Sequence, residues 1–465
     1  MLTYDMLVGL SLLLFIYFSF YFFRSNDEFP LLAHTLFCTN ALYRYNVVAI
    51  QKLSSYVVVA YKRDIFALND ALALEALNYF FLGNALFSLS YIGFKAMMRP
   101  VKPAPIQGEL FKSFIKAKQI PIIVLFLVFL LLSFYSNIAL NNLVYGQGQS
   151  NVSMGVSYFL YLPFALGGLI LLMFLVYKNV SVATDSFSKL AFGGLIAFSA
   201  YTSYNPTARF SFLSWVVGLG VIYLRDRAPS RKAVLYIVGG SLAILLYSLA
   251  GLKRTPGAYA LPFNQKVELA IARLVIAEDQ NLLDGMMMVL QVYPENLDYQ
   301  YGFQHLEILM RPIPRAIWPG KPKGGYANKL DLNYEENNGT IGISESMYGT
   351  FYGEGGVPGI ILLSILYGFF FARITRYTEK FTNDIRFLLK GIMIASFLAL
   401  IRGGDLAGIV AFCCMSYWPI MLFMRQYTSF ASRFDGWYWK QYMAMRRMKQ
   451  QNQQEMKKAE ALARV

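Results

Sequence analysis

Long apolar runs alternate with short polar breaks along most of this chain. The runs fall near residues 6–23, 33–50, 72–94, 119–140, 156–177, 190–205, 209–224, 233–252, 345–372, 387–402 and 405–424. Most are about 17 to 25 residues long, which as helices would cross a hydrocarbon core about 30 Å thick. Backbone in lipid must satisfy its own hydrogen bonds, so runs of this length predict helices. The expected fold is an all-α polytopic membrane protein with about eleven transmembrane helices. Between residues 31 and 61 the pattern is broken by Arg44 and Lys52, as an interfacial helix would break it. The largest interruption, residues 253–344, separates the eighth and ninth runs and predicts one large external loop. The expected organisation is membrane helices over 1–252, that loop, membrane helices over 345–424 and a basic tail over 425–465.

Composition agrees: 56% of the 465 residues are hydrophobic and 16% aromatic, and no stretch is long enough to form a separate soluble core. The first run has no basic flank before it and no small-residue cleavage site after it, so a retained span is expected. Cys38, Cys413 and Cys414 lie in apolar runs without C-x-x-C spacing, which suits packing rather than a disulfide framework or a zinc site. Charge sets the orientation, because short cytoplasmic loops accumulate Lys and Arg. The segment from Lys95 to Lys118 carries six of them, whereas "NNLVYGQGQSNVSM" (Asn141 to Met154) carries none. "RDRAPSRK" and "RITRYTEKFTNDIR" are basic in turn, so these loops and the tail are expected inside and the N-terminus outside. The end of the tail, "RRMKQQNQQEMKKAEALARV", lacks interleaved aromatics, so nucleic acid is not an expected partner, whereas anionic lipid is.

Three features then share the external side. They are the large loop, the turn "YTSYNPTARF" with Arg209, and the turn "IRGGDL" with Arg402 and Asp405. The loop holds nine Lys and Arg residues, among them Arg254, Arg273, Arg311, Arg315 and Lys321. A solvated loop balancing its own acids would explain some of these. Arg209 and Arg402 are harder to explain that way, because each lies at a helix end beside the membrane, where arginine is costly unless it snorkels or pairs. Its planar fork pairs best with phosphate, so an anionic lipid headgroup is the expected ligand. Arg254 and Arg273 rank lower, since either could serve an internal ion pair.

The stretch "HLEILMRPIPRAIWPGKPKGG" (His305 to Gly325) concentrates the candidate chemistry. Proline fixes its own φ and extends the residue before it, so Pro312, Pro314, Pro319 and Pro322 predict a stiff non-helical support. From that frame Arg311 and Arg315 could reach a phosphate. Trp318 offers a flat face to a sugar ring or to the membrane interface. Two residues are candidate bases. Glu345 shares a helix face with Tyr348 and Tyr352, which Gly349 and Gly356 would keep open to substrate. His305 is the other, because the side chain of histidine in solution exchanges protons near neutral pH. Glu354 is expected to brace a turn, and His34 to pack.

"RPIPRAIWPGKP" followed by "ISESMYGTFYGEGGVPGI" resembles the signature region of bacterial oligosaccharide repeat unit polymerases, the Wzy-type O-antigen and exopolysaccharide polymerases. The resemblance covers roughly residues 303–359. It implies a GT-C-like, inverting, metal-independent glycosyltransferase of the bacterial inner membrane, with its active site facing the periplasm. The implied donor and acceptor are oligosaccharides on undecaprenyl pyrophosphate, with no cofactor, and a chain-length regulator is a compatible partner. The sequence has no nucleotide-binding glycine loop, no D-x-D pair and no H-E-x-x-H. Two alternatives stay open: an O-antigen ligase, and a transporter or flippase for an anionic lipid-linked sugar.

Overall fold

The computed structural model describes residues 2–45, 68–99, 229–252, 261–276, 282–310, 317–322, 325–330, 344–381, 383–403 and 425–432, with a few isolated positions besides. The runs expected near 119–140, 156–177, 190–205, 209–224 and 405–424, and most of the tail, fall outside the described residues. Within them the regular structure is helical. The helices are α1 (Tyr4–Ser25), α2 (Phe29–Tyr45), α3 (Asp70–Met97), α4 (Pro229–Gly251), α5 (Phe263–Ile276), α6 (Leu282–Val292), α7 (Phe303–Met310), α8 (Tyr326–Lys329), α9 (Ser346–Thr378) and α10 (Asn383–Arg402). Three of them, α1, α3 and α9, are long and apolar enough to cross a membrane.

Polar caps set the ends of these helices. Thr3 accepts the Met6 N–H to start α1, and Asn26 in the left-handed conformation ends it. Asn69 accepts the Leu72 N–H at 2.9 Å to start α3. Helices α1, α2, α3, α6, α9 and α10 contribute to one core. At its centre Phe29, Phe87, Phe371 and Phe397 meet ring to ring, with the Phe371 and Phe397 centroids 4.6 Å apart and Phe87 and Phe397 5.4 Å apart. Apolar burial alone does not drive helices together in lipid, so close approach matters more. Gly83 provides it under the Tyr348 ring and Gly368 against Ser90 and the Phe87 carbonyl; a Cβ at either position would collide.

Helix α9 is not the single straight span that the run 345–372 predicted. Gly355 and Gly356 are non-helical, and Gly356 takes φ 65° and ψ −145°, a conformation that L side chains rarely adopt. Pro358 sits in the first turn of the segment beyond, where its missing N–H costs little. The chain folds back at this point: a Cβ on Gly359 would strike the Phe351 carbonyl, and the Phe351 and Tyr367 rings lie 4.8 Å apart. In a straight helix those two rings would be separated by about 24 Å of rise. The first limb, to Glu354, runs antiparallel to α3, with Tyr352 on Tyr79 and Tyr348 on Asn84. The second limb runs parallel to α3, from Gly368 beside Phe87 to Arg376 beside Lys95. Because Asn84 lies eleven residues before Lys95, the first limb descends to about 16 Å above the Lys95 end of the bundle. That is near the middle of a bilayer.

The segment expected as one external loop also enters the core. Helix α6 is apolar but too short to span, and it packs between α2, α3 and α9. The Leu283 N–H donates to Asn40 Oδ1 at 2.9 Å, and Gly285 lies against the Ser344 carbonyl. Helices α4 and α5 pair through a separate apolar cluster. His34 is buried against the Phe18 ring, 4.3 Å away, with Ser88 at 3.2 Å, and Cys38 is buried, as a packing role requires.

The turns expected on the cytoplasmic side from their charge meet at one end. Lys95 Nζ lies 2.6 Å from Asp27 and 3.4 Å from Glu379. Arg376 donates to the Lys95 carbonyl at 2.6 Å and to Glu379 at 2.6 Å, while Lys390 pairs with Glu28 at 2.6 Å. Removing one member of such a buried set strands the others. Lys95→Met should therefore cost about 3 to 5 kcal/mol of stability, read by unfolding in detergent. Burial pushes the Glu379 carboxyl up, but the Arg376 hydrogen bond and the charges of Lys95, Arg376 and Arg386 outweigh it and hold it below its ordinary value. A depressed carboxylate stabilises above its unfolded value, about 4.3, and that contribution is lost as pH falls through the folded value. Acid scans should show stability declining below about pH 4.3, with a smaller decline in Glu379→Gln.

Candidate functional site

The fold-back of α9 depends on how its exposed backbone groups are satisfied. The carbonyls of Gly353 and Glu354 accept the N–H groups of Gln300 and Tyr301 at 2.9 and 2.8 Å. The Glu354 carboxylate, 4% exposed, accepts the Gly302 N–H with Oε2 and places Oε1 2.6 Å from His305 Nδ1. His305 Nε2 lies 3.1 Å from the Tyr367 hydroxyl on the second limb. One carboxylate thus holds the turn before α7 and the imidazole on α7. With Nδ1–H donated to Glu354, the Nε2 lone pair faces the Tyr367 hydroxyl. The imidazole is 27% exposed, so a ligand can reach it.

Glu345 lies elsewhere, at the lower end of the first limb. It is 3% exposed and accepts the Thr350 hydroxyl at 3.0 Å. Next to it Ser346 takes φ 63° and abuts Gly403, which brings the end of α10, and with it Arg402, to the start of the limb. The face expected to be open above Glu345 is filled. Tyr348 is 1% exposed and donates to Asn84 Oδ1 at 2.8 Å, and a Cβ on Gly349 would meet Glu345 and Met286. The helical spacing of that face was legible in the sequence, but its packing against α3 and α6 was not. Tyr352 is half-buried between Tyr79 and Tyr299, at 5.6 and 5.9 Å.

In the proline-rich segment, Trp318 is 36% exposed. Lys321 is 7% exposed, and its Nζ donates to the Ile313 carbonyl at 2.9 Å. That contact ties the segment to itself and directs the amine inward. Arg273 belongs to α5. Arg209, Arg254, Arg311 and Arg315 lie outside the described residues.

The interior between α6, α7 and the first limb is acidic and phenolic. Burial raises the pKa of the Tyr293 hydroxyl, and the charges of Glu345, Glu354 and Glu307 add to that rise. Burial does the same for Tyr326, reinforced by Glu345. Glu307 is paired with Lys329 at 3.3 Å, and Lys329 also donates to Gln300 at 2.8 Å. Among the described residues no group of three or more His, Cys, Asp or Glu is arranged to hold a metal ion. Tyr367 and Gln300 have no feature in the sequence that marks them. Glu354 does brace a turn, as expected from "GEGGVP", two glycines and a proline beside an acid within an apolar run.

No protein-family model, curated protein or solved structure matches the chain.

The geometry makes the two adjacent glycines unequal. A Cβ on Gly356 would lie 3.0 Å from the Tyr299 hydroxyl at a positive φ, whereas a Cβ on Gly355 would meet nothing within 4 Å. Gly356→Ala should cost about 1 to 3 kcal/mol. It should also loosen the His305–Glu354 hydrogen bond, read from the nitrogen chemical shifts of His305. Gly355→Ala should change both measurements much less.

Proposed function

We propose that the protein is a membrane glycosyltransferase that polymerises oligosaccharide repeat units carried on a lipid pyrophosphate, undecaprenyl pyrophosphate being the expected carrier. In this reading it works in the bacterial inner membrane with its site toward the periplasm. The observation that carries the proposal is the His305–Glu354 couple, 2.6 Å long, at the break of a membrane helix beside the proline-rich segment. The resemblance of that segment and of "ISESMYGTFYGEGGVPGI" to repeat unit polymerases supplies the substrate class.

The proposed step needs one base and one anion stabiliser. His305 Nε2 takes the proton of the acceptor hydroxyl while the hydroxyl oxygen bonds to the anomeric carbon of the donor. The bond from that carbon to the pyrophosphate oxygen breaks, and the lipid pyrophosphate leaves with the negative charge. Glu354 orients the imidazole and offsets its new positive charge, and Tyr367 holds Nε2 until substrate displaces it. Arg402, Arg209, Arg311 and Arg315 are the proposed cationic partners of the pyrophosphate, with Arg254 and Arg273 behind them. Lys321 contributes by shaping the segment, Trp318 and Tyr352 by offering faces to sugars, and Tyr348 by fixing the first limb.

His305→Ala and Glu354→Gln should each lower single-turnover polymerisation by roughly 10²- to 10⁴-fold while donor binding persists. Glu345→Gln should retain most of the rate; if it alone abolishes turnover, the base is Glu345. Cationic side chains replace a divalent ion in this scheme, so excess EDTA should leave the rate unchanged. Deleting the gene should leave single repeat units on the surface anchor, whereas unattached polymer would indicate a ligase.

A second reading, a carrier for an anionic lipid-linked sugar, is favoured by one observation. The first limb of α9 ends inside the bundle with Glu345 3% exposed and its backbone against Gly285 of α6, where the neighbouring Asp284 is 0% exposed. Broken helices with buried ionisable groups at mid-depth are characteristic of transporters. Translocation of lipid-linked repeats across vesicles without polymerisation would establish that reading over the first.

A further inference from the structure

Helix α7 has its polarity reversed relative to the bundle on which it lies. Its buried positions are Gln304 and Glu307, 4% and 5% exposed, whereas Leu306 and Leu309 are 51% and 75% exposed. The outward apolar character continues into the segment that follows, where Ile317 is 76% exposed. A helix covering a core from the water side turns its apolar stripe inward. The opposite arrangement is stable where the surroundings are hydrocarbon and the polar groups find partners inside. Here they do: Glu307 meets Lys329, and His305 meets Glu354 and Tyr367.

Position points the same way. His305 bridges Glu354 at the turn and the Tyr367 hydroxyl, so α7 lies against the second limb of α9. The outer face of that limb is itself apolar and open, with Leu362 59% and Phe370 56% exposed, so the face of α7 continues a surface already suited to lipid. Trp318, 36% exposed, is of the residue type that favours the boundary between acyl chains and headgroups.

We infer that α7 is embedded in the bilayer, with Leu306, Leu309 and Ile317 against acyl chains, although the sequence pattern assigns these residues to an external loop. Helix α7 is then the wall between the lipid and the His305–Glu354 couple. On the function proposed above, a lipid-anchored substrate reaches the couple along α7 without its tail leaving the membrane.

The test is site-directed spin labelling of the full chain in phosphatidylcholine–phosphatidylglycerol vesicles, after Cys38, Cys413 and Cys414 are replaced by alanine. Labels are placed singly at Leu309, Ile317 and, as a lipid-facing reference, Leu362. Embedding predicts that Leu309→Cys and Ile317→Cys labels relax with oxygen severalfold more than with a water-soluble nickel chelate, as the Leu362→Cys label does. A label at 309 relaxed mainly by the nickel chelate, with the 362 label still in lipid, overturns the inference and leaves α7 in water. A label shielded from both reagents and dipolar-broadened overturns it in favour of a second copy of the chain. A 362 label in water would refute the inference together with the membrane placement of α9, whereas loss of polymerisation alone moves none of these readings.

Discussion

The fold-back of α9 depends on one carboxylate. A helix that reverses exposes carbonyls and N–H groups, and those buried away from water each need a partner from the protein. The chain from Gln300 to Gly302 lies across the turn and supplies three N–H groups, two to backbone carbonyls and one to the Glu354 side chain. The second oxygen of the same carboxylate takes His305. Glu354 is therefore both a structural clamp and the partner of the His305 imidazole. Its burial, at 4% exposure, makes the pairing strong, because a carboxylate removed from water needs charge or hydrogen-bond compensation.

The remaining described structure separates its polar groups by depth. At one end, Asp27, Glu28, Lys95, Arg376, Glu379, Arg386 and Lys390 form a charged belt that fastens the ends of α1, α3, α9 and α10. Above it, the phenylalanine cluster and the close approaches at Gly83 and Gly368 hold the bundle by shape. Above that, α6 and the first limb of α9 bring Asp284 and Glu345 into the interior, within reach of Tyr43 and Thr350. Polar side chains at mid-depth are costly unless paired, and they are the usual marks of a functional interior.

Several features are legible in the sequence because they rest on local composition. Runs of apolar residues longer than a bilayer is thick can lie stably as helices and little else, so α1, α3 and α9 are evident as helical segments. The basic turns follow from where lysine and arginine fall, and their meeting at one end of the bundle agrees with that distribution. His305 stands out as one of two histidines, and Glu354 as an acid within an apolar run.

Other outcomes depend on residues far apart in sequence, and packing settles them. Periodicity puts Glu345, Tyr348 and Tyr352 on one face, but only the presence of α3 and α6 determines that this face is filled. The apolar run over α9 has the same composition whether straight or folded; the reversal requires the partners at residues 300–302 and the space beside Gly359. Nothing local in "LLDGMMMVLQV" distinguishes a helix on the surface from one inserted between α2, α3 and α9. That the long apolar segments are helical and suited to lipid follows from the amino-acid order alone, through the energetics of backbone and side chains taken residue by residue, whereas the shorter helices within residues 253–344 do not. Where the helices break, which faces close and which carboxylate meets His305 follow from packing, because those energies belong to pairs separated by tens to hundreds of residues.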